Sequence, residues 1–283
     1  MLALCRHIRL VLMLAVVLAA AAPAAVRAQG KLEAHYTASL AGIQIGKGSW
    51  VIDITDTQYM AAASGVTTGL MRAFTGGQGT STAHGTLHAG QPTSSIFVST
   101  IAASNKTDDV NLTVANGIVT ESRLDPPIET EPDRVPITDE NCKGILDPMT
   151  ASLMRTPGTG NPLSPEACQR TVAIFDGRLR YDLQFAFKRM DKVKADKGYA
   201  GPVVVCAVYF SPIAGYISSR AAIRYVSKLR DIEVWLAPIA GTRVLVPFRM
   251  QGPTPIGKFV LEANQFVSAP IPTRASANGL KTQ

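Results

Sequence analysis

From Lys31 onward, hydrophobic and polar residues trade places at every second position for most of the chain. That is the period of a strand with one buried face. In "KLEAHYTASL", Leu32, Ala34, Tyr36, Ala38 and Leu40 share a side. Gly42 to Gly48 reads as a flexible turn region, and "SWVIDIT" as the returning strand. "TTGLMRAFTGG" predicts one helical turn before its glycines end it. "TSTAHGTLHAG" and "SSIFVSTIAAS" form a further pair joined through Gly90 and Pro92. "DDVNLTVANGIVTESRL" is a hairpin, because Asn116-Gly117 suits a two-residue turn with both residues at positive φ. "RTVAIFDGRLRYDLQFAFKRM" turns again at Asp176-Gly177. "PVVVCAVYF", "AAIRYVSK", "DIEVWLAP", "TRVLVPFRM" and "GKFVLEANQFV" complete the strands.

Consecutive strands joined by short turns make an antiparallel meander, and no βαβ alternation points to a parallel sheet. A sheet this wide must twist and then curl or split. The expected fold is mainly β: a curved antiparallel meander forming a partly closed barrel, with one or two short helices. The alternative is two packed antiparallel sheets. One domain is expected over residues 29–268. The Pro-rich connection at 125–136, "DPPIETEPDRVP", is extended, and a flexible tail covers 269–283.

The first 28 residues stand apart. Arg6 and Arg9 precede the uncharged "VLMLAVVLAAAAPAA", and small Val26 and Ala28 occupy the positions a signal peptidase reads. This predicts a cleaved secretory signal, a mature chain from about Gln29 and a periplasmic location. No Cys follows the cut to carry a lipid, and no later run is long and apolar enough to span a bilayer as a helix. Arg6, Arg9 and Arg27 leave with the signal, so the formal net charge of +7 falls to +4. A mildly basic exported chain is not a nucleic-acid binder.

In an oxidising compartment Cys142, Cys168 and Cys206 allow one bridge and one thiol. Between the first two lies "DPMTASLMR", where Asp147 is an N-cap, Pro148 the first helical residue, and Met149 and Leu153 share a face. A helix over Asp147–Arg155 is predicted, stopped by Pro157 and Gly158. A Cys142–Cys168 bridge would close a loop of about 27 residues and contribute roughly 3–4 kcal/mol. Cys206, inside an apolar run, is then expected as a buried inert thiol.

Candidate chemistry is sparse. There is no G-x-S-x-G, S-x-x-K, H-E-x-x-H or C-x-x-C, and "GIQIGKG" lacks P-loop spacing. On a strand His84 and His88 stand about 13 Å apart, too far for one tetrahedral metal. Carboxylates such as Asp108, Asp109, Asp231 and Glu233 sit beside turns or on alternating strands. No catalytic, cofactor or metal residue is assigned. Arg178, Arg180, Lys188 and Arg189 form the densest basic stretch and are a candidate patch for an anionic envelope partner.

Five stretches, "LAGIQIGKG", "CKGILDPMTASLM", "FDGRLRYDL", "CAVYFSPIAGY" and "PTPIGKF", occur in an order that resembles the exported proteins of the domain of unknown function 3108 family, from about Lys31 to about Phe266. The resemblance implies an exported β-rich protein and brings no activity, cofactor or catalytic residue. The leading expectation is a non-catalytic binding or structural module for an apolar or lipid-like ligand. Leu70, Met71, Phe74, Ile213 and Tyr216 are the candidate mouth residues. The competing expectation is a hydrolase acting on envelope polysaccharide or peptidoglycan.

Overall fold

A computed structural model describes residues 29–69, 76–104 and 106–271. The first half of the chain is an unbroken meander: β1 (Gly30–Leu40), β2 (Ile43–Ile54), β3 (Gln58–Thr67), β4 (Gln78–His88), β5 (Gln91–Ala103), β6 (Lys106–Ala115) and β7 (Ile118–Asp125). The second half holds β8 (Met154–Arg155), β9 (Arg170–Phe175), β10 (Arg180–Lys194), β11 (Lys197–Gly198), β12 (Ala200–Ala214), β13 (Glu233–Pro238), β14 (Val244–Thr254) and β15 (Gly257–Pro270). The α-helices among the described residues are α1 (Pro148–Ala151) and α2 (Ala221–Lys228).

All these strands belong to one sheet, ordered β7-β6-β5-β4-β3-β2-β1-β15-β14-β13-β12-β10-β9. β1 joins the two meanders by pairing antiparallel with β15 from Gly30↔Pro270 to Leu40↔Phe259. The alternative of two packed sheets is therefore set aside. The end strands β7 and β9 do not ladder to each other. The connecting segment lies in that seam, bridging Lys143 to Ile118 on one side and Leu146 to Ile174 on the other. Leu146 N donates to Ala173 O and Phe175 N to Leu146 O, at 2.9 and 3.0 Å. The sheet is a curled, barrel-like surface with a plugged seam rather than a closed ladder.

Turn chemistry sets the tight hairpins. Asn116 and Gly117 take φ of 53° and 74°, as their dipeptide predicts. Ala41-Gly42 and Ala89-Gly90 adopt the same left-handed pair, with alanine in a place that usually favours asparagine. The first of these confines the turn to two residues, so Ile43 to Gly48, expected as turn, is strand.

Two clusters make the core. The inward row Leu32, Ile52, Ala61, Ala83, Phe97 and Leu112 is almost fully buried and meets Val203, Val205, Phe248 and Phe266 from the second meander. On the opposite face of β12 to β14, Val204, Cys206, Leu236 and Leu245 pack under Met154 and Ala167. The middle of β12, β13 and the start of β14 are thus buried on both faces. This is why "PVVVCAVYF" is apolar without a break.

That second cluster overturns the expected disulfide. The bridge joins Cys168 to Cys206, and Cys142 is free. Both bonded cysteines are fully buried beside each other on the outer face of β12. Cys142 is half-buried against the inner core, on the other side of the sheet. Loop length alone favoured Cys142–Cys168; the sheet separates those two residues.

Two helix readings also change. α1 covers only Pro148–Ala151, because Met154 and Arg155 leave to pair with Leu245 and Val244 of β14. "AAIRYVSK", expected as a strand, is helix α2. Its Ile223 and Val226 are three apart and half-buried, while Arg220, Arg224 and Lys228 recur every fourth residue on the exposed side.

Candidate functional site

Moving along the strands, the inner face of β1 to β5 changes from filled to hollow. Next to the buried row runs a second one, Ala34–Trp50–Ala63–Ser81–Ser99, and then a third, Tyr36–Gly48–Gly65–Gly79–Ile101. Ala38 and Gly46 continue it. By the third row the middle of the sheet, β2 to β4, offers only Gly48, Gly65 and Gly79. The sheet still curves, but nothing fills the concavity. The result is a cleft of about 710 Å³ at one end of the barrel. Pro247, Met250 and Leu261 of β14 and β15 form its far wall, and Pro148, Met149 and Ser152 of α1 its floor. Volume and apolar lining are those of a small-molecule site.

The floor is bolted in place by a buried carboxylate. Asp147 caps α1, accepting from Met149 N and Thr150 N at 2.9 Å each. Its other oxygen accepts from Ser94 Oγ of β5 at 2.6 Å and from the Thr150 hydroxyl. Asp147 N donates back to Ser94 Oγ at 2.9 Å, and the Tyr59 hydroxyl of β3 bonds Thr150. Burial pushes the Tyr59 phenol well above its ordinary value, and the Asp147 charge adds to this. Every partner of Asp147 is a donor satisfied locally, so the group is a structural cap. On the far wall Tyr36 Oη donates to Pro247 O at 2.7 Å, and its phenol too is raised by burial. The Trp50 indole N–H is buried with no acceptor among the described residues.

The candidate residues fare unevenly. Leu70, Met71 and Phe74, with the helical turn expected there, lie outside the described residues. Ile213 and Tyr216 do not line the cleft. Val135 N donates to Tyr216 O, and Gly215 N to Val135 O, which ties that segment to the Pro-rich connection. The four basic residues do not make one free patch. Arg178 pairs with Asp108 at 3.1 Å and Arg180 with Asp182 at 2.7 Å. Arg189 grips Glu233 with two bonds of 3.1 Å, and Lys188 pairs with the same carboxylate. These bonds hold Glu233 down at about 2 against the usual 4.5. Arg189 and Arg249 also flank the Trp235 ring, at 5.3 and 4.9 Å from its centre.

His84 and His88 lie on β4, and His35 Nε2 sits 3.3 Å from Glu33. Among the described residues no three His, Cys, Asp or Glu side chains converge to hold a metal ion, and no helix is long and apolar enough to cross a membrane. The cleft, by contrast, was legible: the runs "GKGSW", "AAASGV" and "QGTST" put glycine, alanine and serine at the inward positions of three consecutive strands. Sequence reasoning passed over them because small residues carry no chemistry of their own. The site is an absence of side chains.

A curled antiparallel sheet with an apolar cleft at one mouth defines the class: a barrel-like β protein with a ligand-sized hollow. The sequence model of the family described as "Protein of unknown function (DUF3108)" matches residues 34–264, and the chain belongs to that family. Comparison with the curated proteins gives no match. Among solved structures, the chain is similar to a beta-barrel-like protein of domain of unknown function DUF1849 from Brucella abortus. The TM-score is 0.47 at 11% identity, over 86% of this chain and 99% of that one. A DUF1329 family protein from Desulfovibrio piger matches at TM-score 0.23 and 11% identity, covering 86% and 84%.

Proposed function

We propose that the protein is an exported, periplasmic, non-catalytic binding module whose cleft receives an apolar chain such as a lipid acyl group. The observation that carries this is the hollowed third row, Tyr36–Gly48–Gly65–Gly79–Ile101, beside a filled one on the same strands. Evenly filled rows would extend the core to the mouth. Instead an apolar cleft of about 710 Å³ stays open, where each buried methylene of a ligand contributes about 0.8 kcal/mol. Export is supported by the signal-like start and by a disulfide, which oxidising compartments preserve.

The test is native mass spectrometry and calorimetry on protein stripped of lipid, titrated with a saturated fatty acid. One-to-one binding that changes Trp50 emission, with the change lost in Trp50→Phe, is the expected result. Stripped protein that takes up neither fatty acid nor phospholipid refutes the reading. Amino-terminal sequencing of protein from the periplasm should start at Gln29.

A further inference from the structure

The cleft opens at the end of the sheet where the β1–β2 and β14–β15 hairpins turn. Those two tips touch: Ala41 N donates to Lys258 O at 2.9 Å, and the β14–β15 turn is packed so closely that a Cβ on Gly257 would lie 2.7 Å from Ala41 Cβ. Each tip carries an isoleucine held out in solvent, Ile43 at 67% exposure and Ile256 at 72%. Further round the same rim, Ile101 is 54% and Val66 49% exposed. Ile256 lies in the β14–β15 turn and Ile43 directly follows the β1–β2 turn, where polar residues are usual, so isoleucines there are misplaced for a rim facing only water.

Between these apolar points stand Lys47, Lys106 and Lys258. All three are exposed, and none makes an ion pair among the described residues. Of the nearby carboxylates, Asp108 pairs with Arg178 and Glu262 with Arg249, whereas Asp109, bonded to the Thr100 hydroxyl, and Asp231, beside Lys258 in a shallow groove, make no ion pair among the described residues. The rim therefore presents separated apolar tips among three lysines, which outnumber the two carboxylates left without an ion pair. A flat contiguous apolar patch would suit a protein partner. Isolated tips that reach past lysines suit insertion between anionic headgroups, each basic residue adding attraction at the surface.

We propose that this end of the molecule docks on an anionic lipid bilayer, with Ile43 and Ile256 inserted at the headgroup boundary. The inference rests on the cleft reading and extends it. With the mouth pressed to the bilayer, an acyl chain passes from membrane to cleft without crossing water.

The test is co-sedimentation of the full mature chain with vesicles of phosphatidylglycerol and phosphatidylethanolamine, against vesicles of phosphatidylcholine alone. Binding is expected to the anionic vesicles and to fall about tenfold between about 0.05 M and about 0.5 M salt. Ile43→Asn with Ile256→Asn should lower vesicle binding at least about tenfold, and Lys106→Gln with Lys258→Gln should remove the preference for anionic lipid. Both variants should still bind fatty acid in solution without vesicles, which shows that they fold. Wild-type protein that ignores anionic vesicles, or an isoleucine variant that binds them as well as wild type, overturns the docking. So does sedimentation velocity showing that the isoleucines hold two copies of the chain together. Vesicle binding without fatty-acid binding would instead refute the cleft and leave the docking standing.

Discussion

Filling the cleft from its own wall separates stability from binding. Gly65 sits at the middle of the hollowed row, between Gly48 and Gly79, at a φ that any residue adopts. A Cβ built there meets only Lys47 O at 3.7 Å, an ordinary contact. The Cβ of Gly65→Val therefore enters without a clash. The substitution should also stabilise the strand by about 0.5–1 kcal/mol, because an interior glycine carries that entropic cost and β-branched residues favour strands. The three added carbons take space an apolar ligand would use. At about 0.8 kcal/mol per methylene, roughly 2.4 kcal/mol of binding is lost, or about 50-fold in Kd. Displacement of a fluorescent fatty-acid probe reads the affinity, and urea unfolding reads the stability. The expected pair is a higher unfolding midpoint with weaker binding. Gly48→Val is the contrasting case, since its Cβ falls 3.0 Å from Ser64 O and should destabilise the strand. A Gly65→Val protein that folds and binds the probe as tightly as wild type would refute the placement of the ligand in this cleft.

Three other outcomes follow from the geometry. Asp147→Ala removes the cap of α1 and the shared acceptor of Ser94 and Thr150, and should cost about 3 kcal/mol in urea unfolding; a loss under about 1 kcal/mol contradicts the capping account. A non-reducing peptide map should link Cys168 to Cys206 and leave Cys142 to react with a maleimide after unfolding. Replacing the bonded pair by serine should cost about 4 kcal/mol for a separation of 38 residues, whereas Cys142→Ser should stay within about 1 kcal/mol. Glu233 is held at about 2, below its ordinary 4.5, so its pairing with Arg189 and Lys188 contributes fully above pH 4.5 and is lost as pH falls towards 2. That contribution is at most about 3 kcal/mol, since the partners are partly solvated, and the acid-dependent fall of the urea midpoint should shrink in Glu233→Gln, leaving the part owed to Asp133, Glu166 and Asp191, which are also held below their ordinary values.

What the sequence determined about this protein is what depends on near neighbours along the chain. Period-two patterning placed Leu32, Ala34 and Tyr36 on the buried side of β1, and Asn116-Gly117 marked the β6–β7 hairpin. Asp147-Pro148 marked where α1 starts, because a cap needs only the next three residues. Its end was another matter, since the pull on Met154 and Arg155 comes from Leu245 and Val244 of β14, far along the chain. For "AAIRYVSK" the apolar positions fit either period, and packing beside β12 decided for helix. The disulfide turned on which face of the sheet each cysteine occupies, which spacing does not encode. The cleft needed both levels: small residues are written in three strands, but only the curling of β1 to β5 against β14, β15 and α1 turns those missing side chains into one open cleft.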